Sequence, residues 1–148
     1  MPHSGVKANW FYMLYKNTVA PATLELLNKL KVDIVLHRYP YLQKVETIEG
    51  IRLASVPDII AMKLNAITRR STKKDFFDIA ELLNDYTLKA MLGFFGNKYA
   101  ATDIGFVVRS LTYFDEAEAT KNPIMLNSME WEQVKQKIRK AVQEYWNE

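Results

Sequence analysis

The stretch from Ile51 to Asp78, IRLASVPDIIAMKLNAITRRSTKKDFFD, leaves the chain few ways to fold. Ser55 stands where a helix N-cap belongs, Pro57 sits just inside the first turn, and Asp58 lies near the positive end of the helix dipole. A helix should therefore start near Pro57. Ile60, Leu64 and Ile67 then recur at the helical period, flanked by Ile59, Met62 and Ala66, so most of the circumference is apolar and burial is expected. Lys63 falls in the middle of this helix, and Arg70 shares its face if the helix runs that far. A buried helix rarely carries a lysine without a partner, because an unpaired charge is costly to desolvate.

Candidate partners follow at once in RRSTKKDFFD. Ser71 or Thr72 can cap a second helix, with Asp75 three residues after Thr72 as in a capping box. Spacing alone admits a plain reading: Asp75 serves the dipole, Lys74 and Asp78 form an exposed pair worth about a few tenths of a kcal/mol, and Arg69 and Lys73 are solvated. It equally admits a structural reading in which Lys63 is the buried ion-pair partner of Asp75 or Asp78.

DIIAMKLNAITRR followed by KKDFFDI resembles the helical block of the AbiEii/AbiGii-type toxin nucleotidyltransferases, bacterial proteins of abortive-infection and type IV toxin–antitoxin systems. In that family an Asp-x4-Lys segment is followed by an Arg and then by a Lys-Asp-x-x-Asp segment. Asp58, Lys63, Arg70, Lys74, Asp75 and Asp78 match it position by position. The resemblance runs from about Val32 to Trp146 and takes in RSLTYFDEAE and WEQVKQKIRKAV. It implies transfer of a nucleoside monophosphate from an NTP to an acceptor, RNA in this family. Lys63 and Arg70 would sit on the triphosphate, Lys74 would add a phosphate contact, and Asp58 would belong to the same substrate-binding set. Asp75 or Asp78 would organise those cations or the acceptor hydroxyl.

Upstream, KVDIVLHRY from Lys31 to Tyr39 alternates as a strand, with Val32, Ile34 and Leu36 on one side and Asp33, Val35 and His37 on the other. Read alone, Asp33 is the polar face of an edge strand. The resemblance implies instead the third metal-binding carboxylate, where Mg2+ takes hard oxygen ligands and bridges nucleotide phosphates. The family's Gly-Gly or Gly-Ser turn and Asp-x-Asp pair have no counterpart between Met1 and Leu30: Ser4-Gly5 is reversed and no Asp precedes Asp33. Two of the three expected carboxylates are missing, and one cannot hold the two-ion arrangement of in-line phosphoryl displacement. Enzyme status is thus open. The chain reads as the C-terminal portion of a longer enzyme or as a degenerate member, weakly active or inactive alone. The alternative is a non-catalytic nucleotide-, RNA- or protein-binding module.

The remaining segments are read from punctuation and period. MPHSGVK is a loose start, and Trp10–Lys16 favours a strand while remaining short enough for a buried helix. Ala22–Leu30 carries leucines at helical spacing yet could be a hairpin partner for the strand after it. Tyr39-Pro40-Tyr41 ends that strand, residues 43–50 make a polar connection, and Ile51–Ala54 returns as a strand. Residues 79–83 complete the second helix. Thr87 caps a short helix through Leu88, Met91, Leu92 and Phe95 that ends near Gly96. Thr102 or Asp103 caps another, where Phe106, Val107, Ser110 and Leu111 lead to core aromatics Tyr113 and Phe114. Residues 115–123 form an acidic loop. Ser128 caps a last helix whose apolar stripe is Trp131, Val134, Ile138, Ala141, Val142 and Tyr145. Its basic residues Lys135, Lys137, Arg139 and Lys140 read as a solvated face, with RNA or an acidic partner left open.

Composition bounds these readings. With 148 residues, one domain is expected, a β-rich part over 1–54 and a helical part over 55–148. The expected fold is α+β: a small, incomplete N-terminal sheet against a larger C-terminal helical part, like a truncated nucleotidyltransferase. A net charge of +3 permits phosphate-bearing ligands without demanding them. The absence of cysteine excludes disulfides, thiolate metal sites and a Cys nucleophile. No run approaches the about 18 apolar residues of a membrane span, so a cytoplasmic location is the default. Expected partners are an NTP, RNA, and a cognate antitoxin or a second copy, with Mg2+ as the cofactor the resemblance implies.

Overall fold

A computed structural model describes residues 22–27, 30–124 and 128–147, and up to residue 34 what is described is the backbone. The expected strand at Trp10–Lys16 and the loose start before it lie outside the described residues.

Two hairpins come first. Strand β1 (Ala22–Leu27) pairs antiparallel with β2 (Leu30–Val35), so Ala22–Leu27 takes the hairpin-partner alternative and Asp33 stands opposite Leu24 in the register. The polar connection 43–50 contains a strand that its composition hid: β3 (Glu46–Ile48) pairs with β4 (Ile51–Leu53) across a two-residue turn. Glu49 and Gly50 take positive φ values of 51° and 79°, the left-handed pair whose twist matches a tight hairpin. Neighbouring polar residues made β3 look like loop, because a three-residue strand is too short to show a period. β1–β2 and β3–β4 are separate two-stranded sheets.

The helical part is built around α1 (Val56–Arg69), as its apolar circumference requires. Ser55 caps it, its hydroxyl accepting from the Asp58 amide at 3.2 Å, and Pro57 occupies the first turn. Helices α2 (Lys73–Leu82), α3 (Leu88–Lys98) and α4 (Ile104–Thr112) pack on α1. The last helix, α6 (Trp131–Asn147), closes over α2, α3 and α4. Ile60, Leu64 and Ile67 of α1 meet Phe76 and Ile79, Met91 and Phe95, Val107 and Leu111, and Val134 and Ile138 in one core. Each such burial contributes about 1.5–3 kcal/mol, which gives this layer most of its cohesion. The fold is α+β, and no helix among the described residues is long and apolar enough to cross a membrane.

Three helix boundaries and the burial of two rings differ from the sequence reading. α3 continues through Gly96 to Lys98, because the burial of Phe95, Lys98 and Tyr99 outweighs the roughly 1 kcal/mol cost of a helical glycine. Within the acidic loop, Asp115–Glu118 forms a single turn, α5, held by buried Phe114 and Ala117. α6 starts later than a Ser128 cap implies: the Glu130 carbonyl accepts from the Val134 amide, and the Glu130 amide donates to Gln133 Oε1 at 2.8 Å. Phe106 and Tyr113 are exposed, the latter by 51%, because α4 turns Val107, Val108 and Leu111 inward and leaves these two rings outside.

Candidate functional site

Three residues link α1 to α2, and that short connection brings the cations of one helix against the carboxylates of the next. The Lys63 ammonium lies 3.5 Å from Asp75 Oδ1 and pairs directly with the Asp78 carboxylate. Lys63 and Asp75 side chains are 6% and 0% exposed, while Asp78 keeps 25% of its surface. Arg70 does not continue the α1 face, since its backbone is extended at φ −150° and ψ 115°. Its side chain turns instead to Asp75, with Nε 3.7 Å from Oδ2, and stays 57% exposed. Lys63, Arg70, Asp75 and Asp78 thus form one cluster, and exposed Lys74 stands close enough to act on the Asp78 charge.

The electrostatics separate the two carboxylates. Burial pushes the Asp78 carboxyl above its ordinary value, against the pull of Lys63, and the neighbouring Asp75 charge adds to the rise. Asp75 is held on both oxygens, Oδ1 facing Lys63 and Oδ2 accepting from the Thr72 hydroxyl at 2.6 Å. Asp78 is therefore the carboxylate that solvent can reach. The exposed Lys74–Asp78 pair of the plain reading gives way to an inward-turned Asp78, because α2 packs this face onto α1 and Lys63 needs the charge.

Asp58 belongs to a second polar centre. Its Oδ1 accepts from Lys98 Nζ at 2.7 Å and from the Leu42 amide at 2.9 Å; Oδ2 accepts from Ser55 Oγ at 2.6 Å and the Gln43 amide at 3.2 Å. Lys98 also donates to the Pro40 carbonyl at 2.8 Å, so segment 40–43 is tied to both α1 and α3. Burial disfavours the Asp58 charge, yet the bonds from Lys98, Ser55, Leu42 and Gln43 outweigh it and hold the carboxyl below its usual range. Beside it, burial and then Lys98 lower His37, and burial pushes the Tyr99 phenol up to about 12. Sequence reasoning missed Lys98. The signal was its position, three residues after Phe95 and seven after Met91 on the apolar face of α3.

The basic residues of α6 are tied down. Lys135 bridges Glu118 at 2.7 Å and Glu132 at 2.6 Å, Lys137 donates to Asn84, Arg139 lies over the Phe114 ring, and Lys140 meets Glu144 at 3.7 Å.

The Asp33 carboxylate lies outside what is described, its strand position apart. Among the described residues no group of three or more His, Asp or Glu side chains converges as a metal ligand set. The acidic pair that does converge, Asp75 and Asp78, encloses an ammonium, so these residues do not fit a two-ion magnesium centre.

Comparison with known proteins falls on the same helices. The family described as "Nucleotidyl transferase AbiEii toxin, Type IV TA system" matches residues 16–147. A curated relative, "Uncharacterized protein aq_aa25" of Aquifex aeolicus (strain VF5), is 32% identical over 145 residues, which cover 94% of this chain and 66% of that protein. The chain therefore spans just under two thirds of that relative's length. No solved structure matches it significantly.

Proposed function

The chain belongs to the AbiEii nucleotidyl transferase toxin family, and from that premise we propose that the α1–α2 cluster is the phosphate-binding side of a nucleotide site. The observation that carries this reading is the convergence of the motif residues. Lys63, Arg70, Asp75 and Asp78 come from two helices and the link between them, yet they meet as one charged group. Arg70 and Lys74 are the exposed cations and make the first contacts with an NTP triphosphate. Asp75 holds Lys63 and Arg70 in place, and Asp78, the more exposed of the two carboxylates, lets a phosphate oxygen or acceptor hydroxyl approach Lys63. Asp58 acts at a distance, fixing the start of α1 rather than touching the nucleotide.

In the finer form of this reading the whole protein transfers a nucleoside monophosphate to an RNA acceptor and is restrained by an antitoxin. Asp33 would then be its residual metal ligand and Mg2+ would neutralise the phosphates. The carboxylates near Lys63 are committed to cations of the chain itself. That commitment favours a second reading, a module that binds nucleotide without turning it over. Both share the cluster.

Calorimetry with NTP, with and without Mg2+, tests the shared part. The Arg70→Ala/Lys74→Ala variant should bind roughly 10- to 100-fold more weakly, as expected for losing charge-assisted bonds of about 1.5–3 kcal/mol. A folded wild-type protein with no affinity for any NTP, or a variant that binds as well as wild type, would sink it.

A further inference from the structure

We propose that segment 37–44 is a stacking surface for single-stranded RNA, its rings taking unpaired bases and its cations the phosphates; RNA as the occupant rests on the acceptor of the reading above. The sequence here is HRYPYLQK. His37, Tyr39 and Tyr41 stand at alternate positions with Arg38 and Lys44 among them, and no acidic residue falls in 36–45. Unpaired bases are recognised by just these groups, aromatic faces for the bases and cations for the backbone.

The fold gathers these rings. The His37 centroid lies 5.5 Å from that of Tyr39 and 6.4 Å from that of Tyr41, and Tyr39 meets Tyr99 edge-on at 4.5 Å. Tyr99 is buried, whereas Tyr39 keeps 42% of its surface and His37 and Tyr41 are half-buried, so the group has an inner member and an outer face. A single exposed ring needs no explanation, but this one belongs to a connected group set among cations. Several rings offer places to more than one base, which suits a strand better than a mononucleotide. The segment is tied down through its backbone: Lys98 Nζ donates to the Pro40 carbonyl at 2.8 Å, and the Leu42 and Gln43 amides donate to the Asp58 carboxylate at 2.9 and 3.2 Å. These anchors flank Tyr41, and buried Lys98 also lies over its ring at 5.3 Å. A platform fixed beforehand loses little freedom when a ligand arrives. Charge favours a polyanion, since Arg38 and Lys44 are exposed while the nearby Asp58 carboxylate is buried against Lys98. Burial raises the Tyr99 phenol and Arg69 pulls it the other way, which places that exposed guanidinium near the same aromatic group. Arg69 precedes Arg70, so adjacent arginines link the rings to the α1–α2 cluster.

The test is the fluorescence anisotropy of a dye-labelled, unstructured RNA of roughly 12 nucleotides, within the span of small single-strand-binding surfaces, titrated with the full chain without NTP or Mg2+. Wild type should bind it at least about 10-fold more tightly than the same sequence as a duplex, because paired bases cannot stack on side chains. Tyr39→Ala should weaken binding of the single strand about 10-fold, and Tyr39→Phe should keep it within about 2-fold, since stacking uses the ring and not the hydroxyl. Arg38→Ala/Lys44→Ala should weaken binding and flatten its salt dependence. A duplex that binds as tightly as the single strand, or a folded Tyr39→Ala variant that binds like wild type, would overturn the proposal. So would a Tyr39→Ala variant that loses NTP and the strand alike, because the rings would then hold the base of the NTP. Should that variant not fold, the ring-proton resonances of Tyr39 and Tyr41 in wild type decide: displacement on adding the strand supports the surface, and unmoved rings overturn it. Wild type that binds the strand but no NTP removes the phosphate-site reading alone, whereas wild type that binds NTP but no strand removes this proposal alone.

Discussion

Asp58 and Lys98 have fully buried side chains 2.7 Å apart, and each offsets the charge that the other carries there. Removing one partner leaves a charge in a place where water cannot reach it, a loss of about 3–5 kcal/mol, whereas replacing both by apolar groups is often close to neutral. Lys98→Met should therefore destabilise by about 3–5 kcal/mol in chemical denaturation, and Asp58→Leu/Lys98→Met should recover much of that. Acid sensitivity has a definite sign here. The folded carboxyl titrates below its unfolded value of about 3.9, so the pair's contribution is complete above that value and is lost as pH falls through the lower folded one. Unfolding free energy should drop more steeply below about pH 4 in wild type than in the double variant. A parallel pair of curves would refute the assignment. Lys63 was legible as a residue in need of a partner, because a cation in an apolar period announces itself and two aspartates followed within reach. Lys98 was not, since it closes a helix that Gly96 seemed to end, and its acceptors, Asp58 and the Pro40 carbonyl, lie far away in sequence.

Helices whose caps and periods agree came through with their boundaries nearly intact. Ser55, Thr87 and Asp103 each accept a backbone bond in the first turn they were expected to cap. Elements shorter than a period did not. β3 and α5 exist because Gly50 closes a tight turn and Phe114 with Ala117 anchors a single turn, and neither cause is visible as periodicity. The hairpin gives a local test. Gly50 has a φ of 79° with nothing within 4 Å of an added Cβ, so Gly50→Ala meets backbone strain and no clash. That strain is about 1 kcal/mol. Since β3 is wholly exposed, amide exchange should rise in residues 46–53 while the core helices keep their protection. α6 behaves oppositely: Trp131 joins Phe76, Phe77 and Phe114, and Trp131→Ala should lower global stability by about 3 kcal/mol.

At the scale of the whole molecule the question is which half carries the ligand. The helical part has a continuous core and carries the motif cations, whereas the two hairpins are small and separate. The α+β class and the helical motif were readable because they rest on long periods and on the Asp58-to-Asp78 spacing. The state of Asp78 was not, because it depends on how α2 lies against α1. If the cations of the α1–α2 link bind phosphate by charge, the affinity must fall with ionic strength, since exposed charges are screened over a Debye length of about 8 Å at physiological salt. NTP affinity should drop roughly 10-fold as salt is raised several-fold from low ionic strength, as phosphate contacts by a few cations predict. It should also change by less than about 3-fold when EDTA replaces Mg2+, because Asp75 and Asp78 already enclose an ammonium and do not offer free oxygens to a hard cation. Calorimetric titrations across that matrix separate the terms. Binding that is strictly Mg2+-dependent and flat with salt would move the nucleotide site from the helical link to the Asp33 side of the molecule.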